Sequence, residues 1–181
     1  GNELVGTVTT TSYPHNVGIG ESVPLAWIGM MLVHPDQRRR GIGSSLMQRA
    51  VDYLNASGVE CIKLDATPAG EPVYARLGFQ PEWRFNRWQR PSDDSPAVVP
   101  SSGPETLLSD LDLAAFGVDR GAWLNTLAAD SAVVVNNNGF GMMRTGRVAT
   151  YLGPMTADGP GAAGEIADTL LSGIHGPVVW D

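Results

Sequence analysis

The sequence predicts an α/β (α+β) fold, and three observations predict it. Short runs of β-branched and apolar residues alternate with stretches whose apolar residues recur at helical spacing. An apolar strand at 28–33 runs through a loop of arginines and glycines directly into an amphipathic helix. A segment at 91–104, with prolines among Ser, Asp and Gly, separates two such series and reads as an interdomain linker.

Taken in order, Gly1-Asn2 reads as the tail of a hairpin turn, and 4–13, rich in Thr and Val, as a strand. Residues 14–24 form a loop broken by Pro14, Gly18, Gly20 and Pro24. The next strand, 25–33, is apolar on both faces and is expected to be central and covered on both sides. The helix after Gly43 places Leu46, Met47, Ala50, Val51 and Leu54 on one face, and Gly58 is placed to stop it. Residues 61–66 form a third strand. Pro72 suits the first turn of a short helix and Gly78 its end. Phe79 starts an extended segment through Trp83, Phe85 and Trp88. Beyond the linker, 105–116 and 119–128 read as helices, and 132–135 as a strand. Asn136-Asn137-Asn138-Gly139 is a hairpin turn leading to strands at 140–143 and 149–152. A helix at 162–171 and a strand from Val178 complete the series.

Composition narrows the function. Asp and Glu number 19 against 12 Lys and Arg, a formal charge of −7. That argues against a general nucleic-acid binder, which would carry a basic face. The consecutive Arg38, Arg39 and Arg40 are a local exception. Cys61 is the only cysteine, so neither an intramolecular disulfide nor a cysteine zinc site is expected. His15, His34 and His175 lack close ligand spacing, and no metal is expected. No apolar run approaches the roughly 20 residues of a membrane span.

The strongest chemistry lies between Val33 and Met47. The first N–H groups of a helix have no internal partner and carry the positive end of its dipole. Gly41 and Gly43 admit close approach to the backbone, and three arginines supply forked donors for phosphate. The expected guest is a pyrophosphate, the alternative a solvated basic turn. No lysine followed by Ser or Thr follows the glycines, and the spacing is not Gly-x-Gly-x-x-Gly.

Instead Arg38-x-x-Gly41-x-Gly43, with a strand before it and a helix after, resembles the acyl-CoA pyrophosphate loop of the GNAT superfamily of N-acyltransferases. Leu64-Asp65-Ala66-Thr67-Pro68-Ala69-Gly70, leading into Val73-Tyr74-Ala75-Arg76-Leu77-Gly78-Phe79, resembles the strand, helix and turn found late in that fold. The resemblance implies a mixed, mostly antiparallel sheet flanked by helices. It implies that the backbone at Met31, Leu32 and Val33 pairs with pantetheine. Gln37, Arg38, Arg39, Arg40, Gly41, Ile42, Gly43 and Ser44 would then hold the pyrophosphate. Tyr74 stands where the family often keeps a tyrosine that protonates the departing thiolate; the alternative is a helix tyrosine packed on the sheet. Asp65 and Glu71 could assist, although Asp65 also suits a turn cap. Glu21 is the available loop carboxylate for a general base, and no base is evident.

After the linker, the order of elements repeats the front part of the same fold, and Tyr151-Leu152-Gly153 echoes Trp27-Ile28-Gly29. This half resembles the C-terminal domain of tandem-GNAT proteins, of which Phe116-Gly117-Val118-Asp119-Arg120 looks characteristic. Its loop at 158–164 offers Asp158 and glycines but no arginine, so a supporting domain without acyl-CoA is expected. The domains are expected at 1–90 and 105–181, with 91–104 between, and both ends look cut. The implied activity is transfer of an acetyl group from acetyl-CoA to a primary amine in a ternary complex. The acceptor would be a small molecule or a peptide, with no nucleic acid, membrane or metal involved. A cytoplasmic location and homodimer formation accompany that reading. Two alternatives stay open: a non-catalytic acyl-CoA-binding regulatory module, and an interaction domain that kept only the fold.

Overall fold

The computed structural model describes residues 3–13, 23–92, 109–172 and 174–181. The turn at Gly1-Asn2, the loop carrying His15 and Glu21, most of the 91–104 linker and the start of the helix expected from Glu105 lie outside these residues. The chain divides into two units, Gly1–Trp83 and Arg84–Asp181.

The first unit holds β1 (Gly6–Tyr13), β2 (Leu25–Val33), α1 (Ile42–Ala56), β3 (Cys61–Leu64) and α2 (Glu71–Ala75). The sheet order is β1-β2-β3, with β1 antiparallel and β3 parallel to the central β2. One face of β2 meets α1 through Ala26, Ile28, Met47, Ala50 and Leu54, all buried. Those helix residues repeat at helical spacing, which is why this stretch folds as an amphipathic helix. Gly58, at φ 77°, ends α1 in a conformation that costs glycine little.

The expectation that β2 is covered on both faces holds only for its first half. Met30 is 65% and Leu32 57% exposed, because among the described residues helix packing reaches one face alone.

The second unit holds β4 (Trp88–Arg90), α3 (Ser109–Phe116), α4 (Gly121–Ala128), β5 (Ala132–Asn136), β6 (Gly139–Thr145), β7 (Thr150–Ala157), α5 (Pro160–Leu171) and β8 (Val178–Trp180). Its sheet runs β4-β8-β7-β6-β5, and only the β7–β8 pair is parallel. Both sheets are mixed, and antiparallel pairs predominate in the second. The extended segment read from Phe79 yields a strand only at Trp88–Arg90, and that strand pairs with β8. The first compact unit therefore stops at Trp83, ahead of the expected boundary at 90.

Side-chain alternation along β5 and β6 divides the second core. Ala132 and Met143 face the cluster under α5, with Ile166 and Leu170. Val133, Phe140 and Met142 face the cluster under α4, with Leu124. The hairpin read at Asn136 to Gly139 joins β5 and β6, and the Asn138 N–H donates to Asn136 Oδ1.

The two units repeat one arrangement. An antiparallel pair (β1-β2, β6-β7) leads to a helix (α1, α5) and then to a strand parallel to the second member of the pair (β3, β8). In each copy that second member carries one extra residue against its partner. In β2 the register jumps between Thr7↔Leu32 and Thr9↔Gly29. In β7 it jumps between Gly141↔Met155 and Met143↔Leu152. These are β-bulges, with Met30 at φ 49° in one and Gly153 at φ 128° in the other.

Candidate active site

The candidate site lies where β2 runs on past the end of β3. β3 pairs with β2 only from Leu25 to Ile28, and its last residue, Leu64, lies opposite Ile28. Among the described residues, 29–33 of β2 therefore have a strand neighbour on the β1 side alone, and the opposite backbone edge is open. Met31, Leu32 and Val33 all lie on this edge. Met31 also packs against the α1 core, on the same cluster as Tyr74, Leu77 and Phe79.

The loop is fixed by short-range bonds. The His34 N–H donates to Val5 O at 2.8 Å, closing the end of β2 onto the chain before β1. Pro35–Gln37 forms one 3-10 turn, with the Gln37 N–H donating to His34 O. Arg38 turns back, its Nε donating to Val33 O at 3.1 Å. Arg40 donates to Gln37 Oε1, so Gln37 orients an arginine. Arg39, at φ 61°, is exposed. Among the described residues none of the three arginines is ion-paired to a carboxylate.

Gly41 is the N-cap of α1 at φ 78°, a left-handed conformation that β-carbon-bearing residues adopt at a cost. Being glycine, it brings no side chain to cap the helix. A Cβ on Gly41 would meet nothing within 4 Å, so the space over the cap is open. At Gly43 a Cβ would lie 3.4 Å from Met31 Cε and 3.7 Å from Val33 Cγ2, so this turn of α1 rests on the end of β2. Gly6 brings it there: a Cβ on Gly6 would sit 3.0 Å from Leu46 Cδ1 and 3.4 Å from Ile42 Cγ2. Ile42, Gly43 and Ser44 supply the uncapped first turn. A positive dipole end and three arginines without a carboxylate partner among the described residues therefore lie next to one another in the chain at the end of β2, a setting suited to an anion.

Tyr74 lies on α2. Its ring covers Gly70, where a Cβ would approach Cε2 to 2.9 Å, and it meets Phe79 edge-on at 6.3 Å between centroids. Burial pushes its phenol above the ordinary tyrosine value. Asp65 accepts from Trp27 Nε1 at 3.2 Å, a β2 contact that its position in sequence did not reveal. Among the described residues no cluster of three His, Cys, Asp or Glu could hold a metal, and no helix is long and apolar enough to cross a membrane.

The corresponding place in the second unit differs in charge. α5 starts at Pro160 after Gly159, without a side-chain cap, and Asp158 donates its N–H to Asn138 O at 2.8 Å. No arginine stands between Asp158 and Gly164, a stretch expected as a loop whose residues from Pro160 on already belong to α5.

The fold is that of an acyltransferase domain, present twice. A model described as "Acetyltransferase (GNAT) family" matches residues 1–79, and one described as "Acetyltransferase (GNAT) domain" matches 108–181. The chain belongs to the GNAT acetyltransferases, with one such domain in each half. A mycothiol acetyltransferase of a Parafrankia species is 31% identical over 97 residues, covering 52% of this chain and 30% of that protein. An uncharacterized N-acetyltransferase of Streptomyces avermitilis is 36% identical over 80 residues, covering 44% of this chain and 19% of that protein. The chain thus spans less than a third of these curated relatives. A crystal structure of a candidate acetyltransferase from Pyrococcus horikoshii superposes with a TM-score of 0.73 at 27% identity, covering 97% of this chain and 59% of that one.

Proposed function

We propose that this chain carries the acyl-CoA site of an N-acyltransferase that moves an acetyl group from acetyl-CoA to a primary amine within a ternary complex. The observation that carries the reading is the uncapped, arginine-flanked N-terminus of α1 beside the open edge of β2. Ile42, Gly43 and Ser44 offer backbone N–H groups to the pyrophosphate, with Arg38, Arg39 and Arg40 around them. Gln37 holds Arg40. The pantetheine arm runs back along Val33, Leu32 and Met31, bonding the open edge as an added strand would.

Backbone donors at the bulge receive the thioester carbonyl. The amine lone pair attacks the carbonyl carbon, and the oxygen takes up negative charge. The C–S bond then breaks, and the sulfur takes a proton from the Tyr74 hydroxyl. A phenol is a suitable donor to a thiolate whose conjugate acid has a pKa near 8 to 9. The amine gives up its proton to a general base. In this reading the second unit supports the first and binds no acyl-CoA of its own.

A pair of substitutions tests the site. Gly41→Asn and Gly41→Asp meet the same left-handed backbone, which both residues tolerate comparatively well, and they differ in charge. In calorimetric titration with acetyl-CoA, Gly41→Asp is expected to lose about tenfold or more in affinity relative to Gly41→Asn, since charge-assisted contacts are worth ~1.5–3 kcal/mol. Equal affinity in the two folded variants would remove the pyrophosphate from this helix.

A further inference from the structure

The bulge of β2 is held by two hydroxyls. Thr7 Oγ1 donates to Met30 O at 3.0 Å, and Thr9 Oγ1 donates to Gly29 O at 3.0 Å. Both threonines belong to β1, so two successive carbonyls of β2 are drawn to the β1 side. Regular strands alternate their carbonyls between sides, and the extra residue of the bulge breaks that alternation here. A trans peptide is planar, and the N–H that shares the plane points opposite to the C=O. Holding Gly29 O and Met30 O toward β1 therefore turns the N–H groups of Met30 and Met31 together toward the open edge.

The second unit has a related device with other chemistry. There Arg144 donates to Gly153 O at 2.6 Å, from the strand paired with the bulged β7. In both copies a cross-strand side chain grips a carbonyl at the extra residue. Only the first copy uses two neutral hydroxyls on two successive carbonyls.

We propose that Thr7 and Thr9 are positioning residues: they fix the bulge so that adjacent backbone donors meet the acyl carbonyl. This rests on the acyl-CoA reading above. Neither threonine touches the substrate; each acts through the peptide it holds. A pair of preset donors stabilises charge on an oxygen without reorganising when that charge appears.

The test compares affinities for free CoA and acetyl-CoA by calorimetry on the full chain, in wild type, Thr7→Val, Thr9→Val and the two Ser variants. Valine keeps the shape and removes the donor, while serine keeps the donor. Expected is a wild-type preference for acetyl-CoA over CoA, reduced by about three- to tenfold in each Val variant and restored by Ser, with CoA affinity within about twofold throughout. Val variants that keep the preference would overturn the proposal. So would a parallel loss of both ligands, which marks a purely structural role, or a wild type that binds both ligands equally. A wild type that binds neither ligand would instead bring down the acyl-CoA reading, and this inference with it.

Discussion

Tyr74 illustrates what one residue can and cannot disclose in sequence. Its number along the chain follows from the resemblance of its helix and turn, but its environment required the fold. Ring packing on Gly70 and Phe79 partly buries the phenol and raises its pKa above the usual value. The sign matters: a raised pKa keeps the group protonated across neutral pH, the state needed by a donor. Tyr74→Phe should lower kcat by about 10²–10⁴-fold and change the KM for acetyl-CoA far less, in assays of the protein with an acceptor from an amine panel. The alkaline fall in kcat due to Tyr74 should lie above the range of an ordinary tyrosine, because burial raises its pKa, and be missing from the Phe variant. A wild-type kcat in Tyr74→Phe when chemistry limits the rate would reduce the residue to packing. Thr7 and Thr9 were legible only as strand-forming residues, because their hydroxyl partners lie about 20 positions away along the chain. Trp27 and Asp65 were hidden for the same reason.

At the level of elements, turn chemistry was the most legible feature. Phe116-Gly117-Val118-Asp119-Arg120 stood out as a motif, and each residue now has a task between α3 and α4. Gly117 takes φ 87°, Val118 is buried, and Asp119 Oδ1 accepts from the Gly121 N–H at 2.7 Å. Arg120 lies 4.2 Å over the Phe116 ring and binds both Asp112 oxygens at 2.7 Å, while Thr156 of β7 donates to Asp112 at 2.8 Å. The Asp112 partner was not foreseen, since an acid within a helix usually faces water. The pair is nearly dry, with side chains 3% and 11% exposed. Asp112→Ala would leave a buried guanidinium unpaired and should destabilise the second unit by about 3–5 kcal/mol. Urea unfolding checks this, and a loss below about 1 kcal/mol would show that water reaches the arginine. Strand ends were less legible: β4 was read as part of the first domain because nothing local in Trp88-Gln89-Arg90 specifies pairing with Val178–Trp180. Pairing is a long-range property, set by which edge is available.

For the molecule as a whole, the repeated arrangement makes a stoichiometric prediction. Both copies have the bulged strand and the uncapped helix, but arginines precede only α1, and Asp158 stands near the start of α5. Charge, as well as the cap conformation, therefore distinguishes the two helix ends, with Gly41 left-handed and Gly159 extended. Titration with acetyl-CoA should give one site per chain; two sites of similar affinity would show that the α5 terminus also accepts the pyrophosphate. The open edge of β2 has a consequence in another direction. A row of backbone groups without a strand partner among the described residues, flanked by exposed Met30 and Leu32, is a template for strand addition by any passing chain. The three arginines at its mouth act as electrostatic gatekeepers: two chains cannot bring these edges together without confronting like charges. On the proposed reading, the loop that would admit an anionic thioester would also oppose self-association of the ligand-free protein, and a substitution that neutralises it should raise aggregation as well as weaken acetyl-CoA binding.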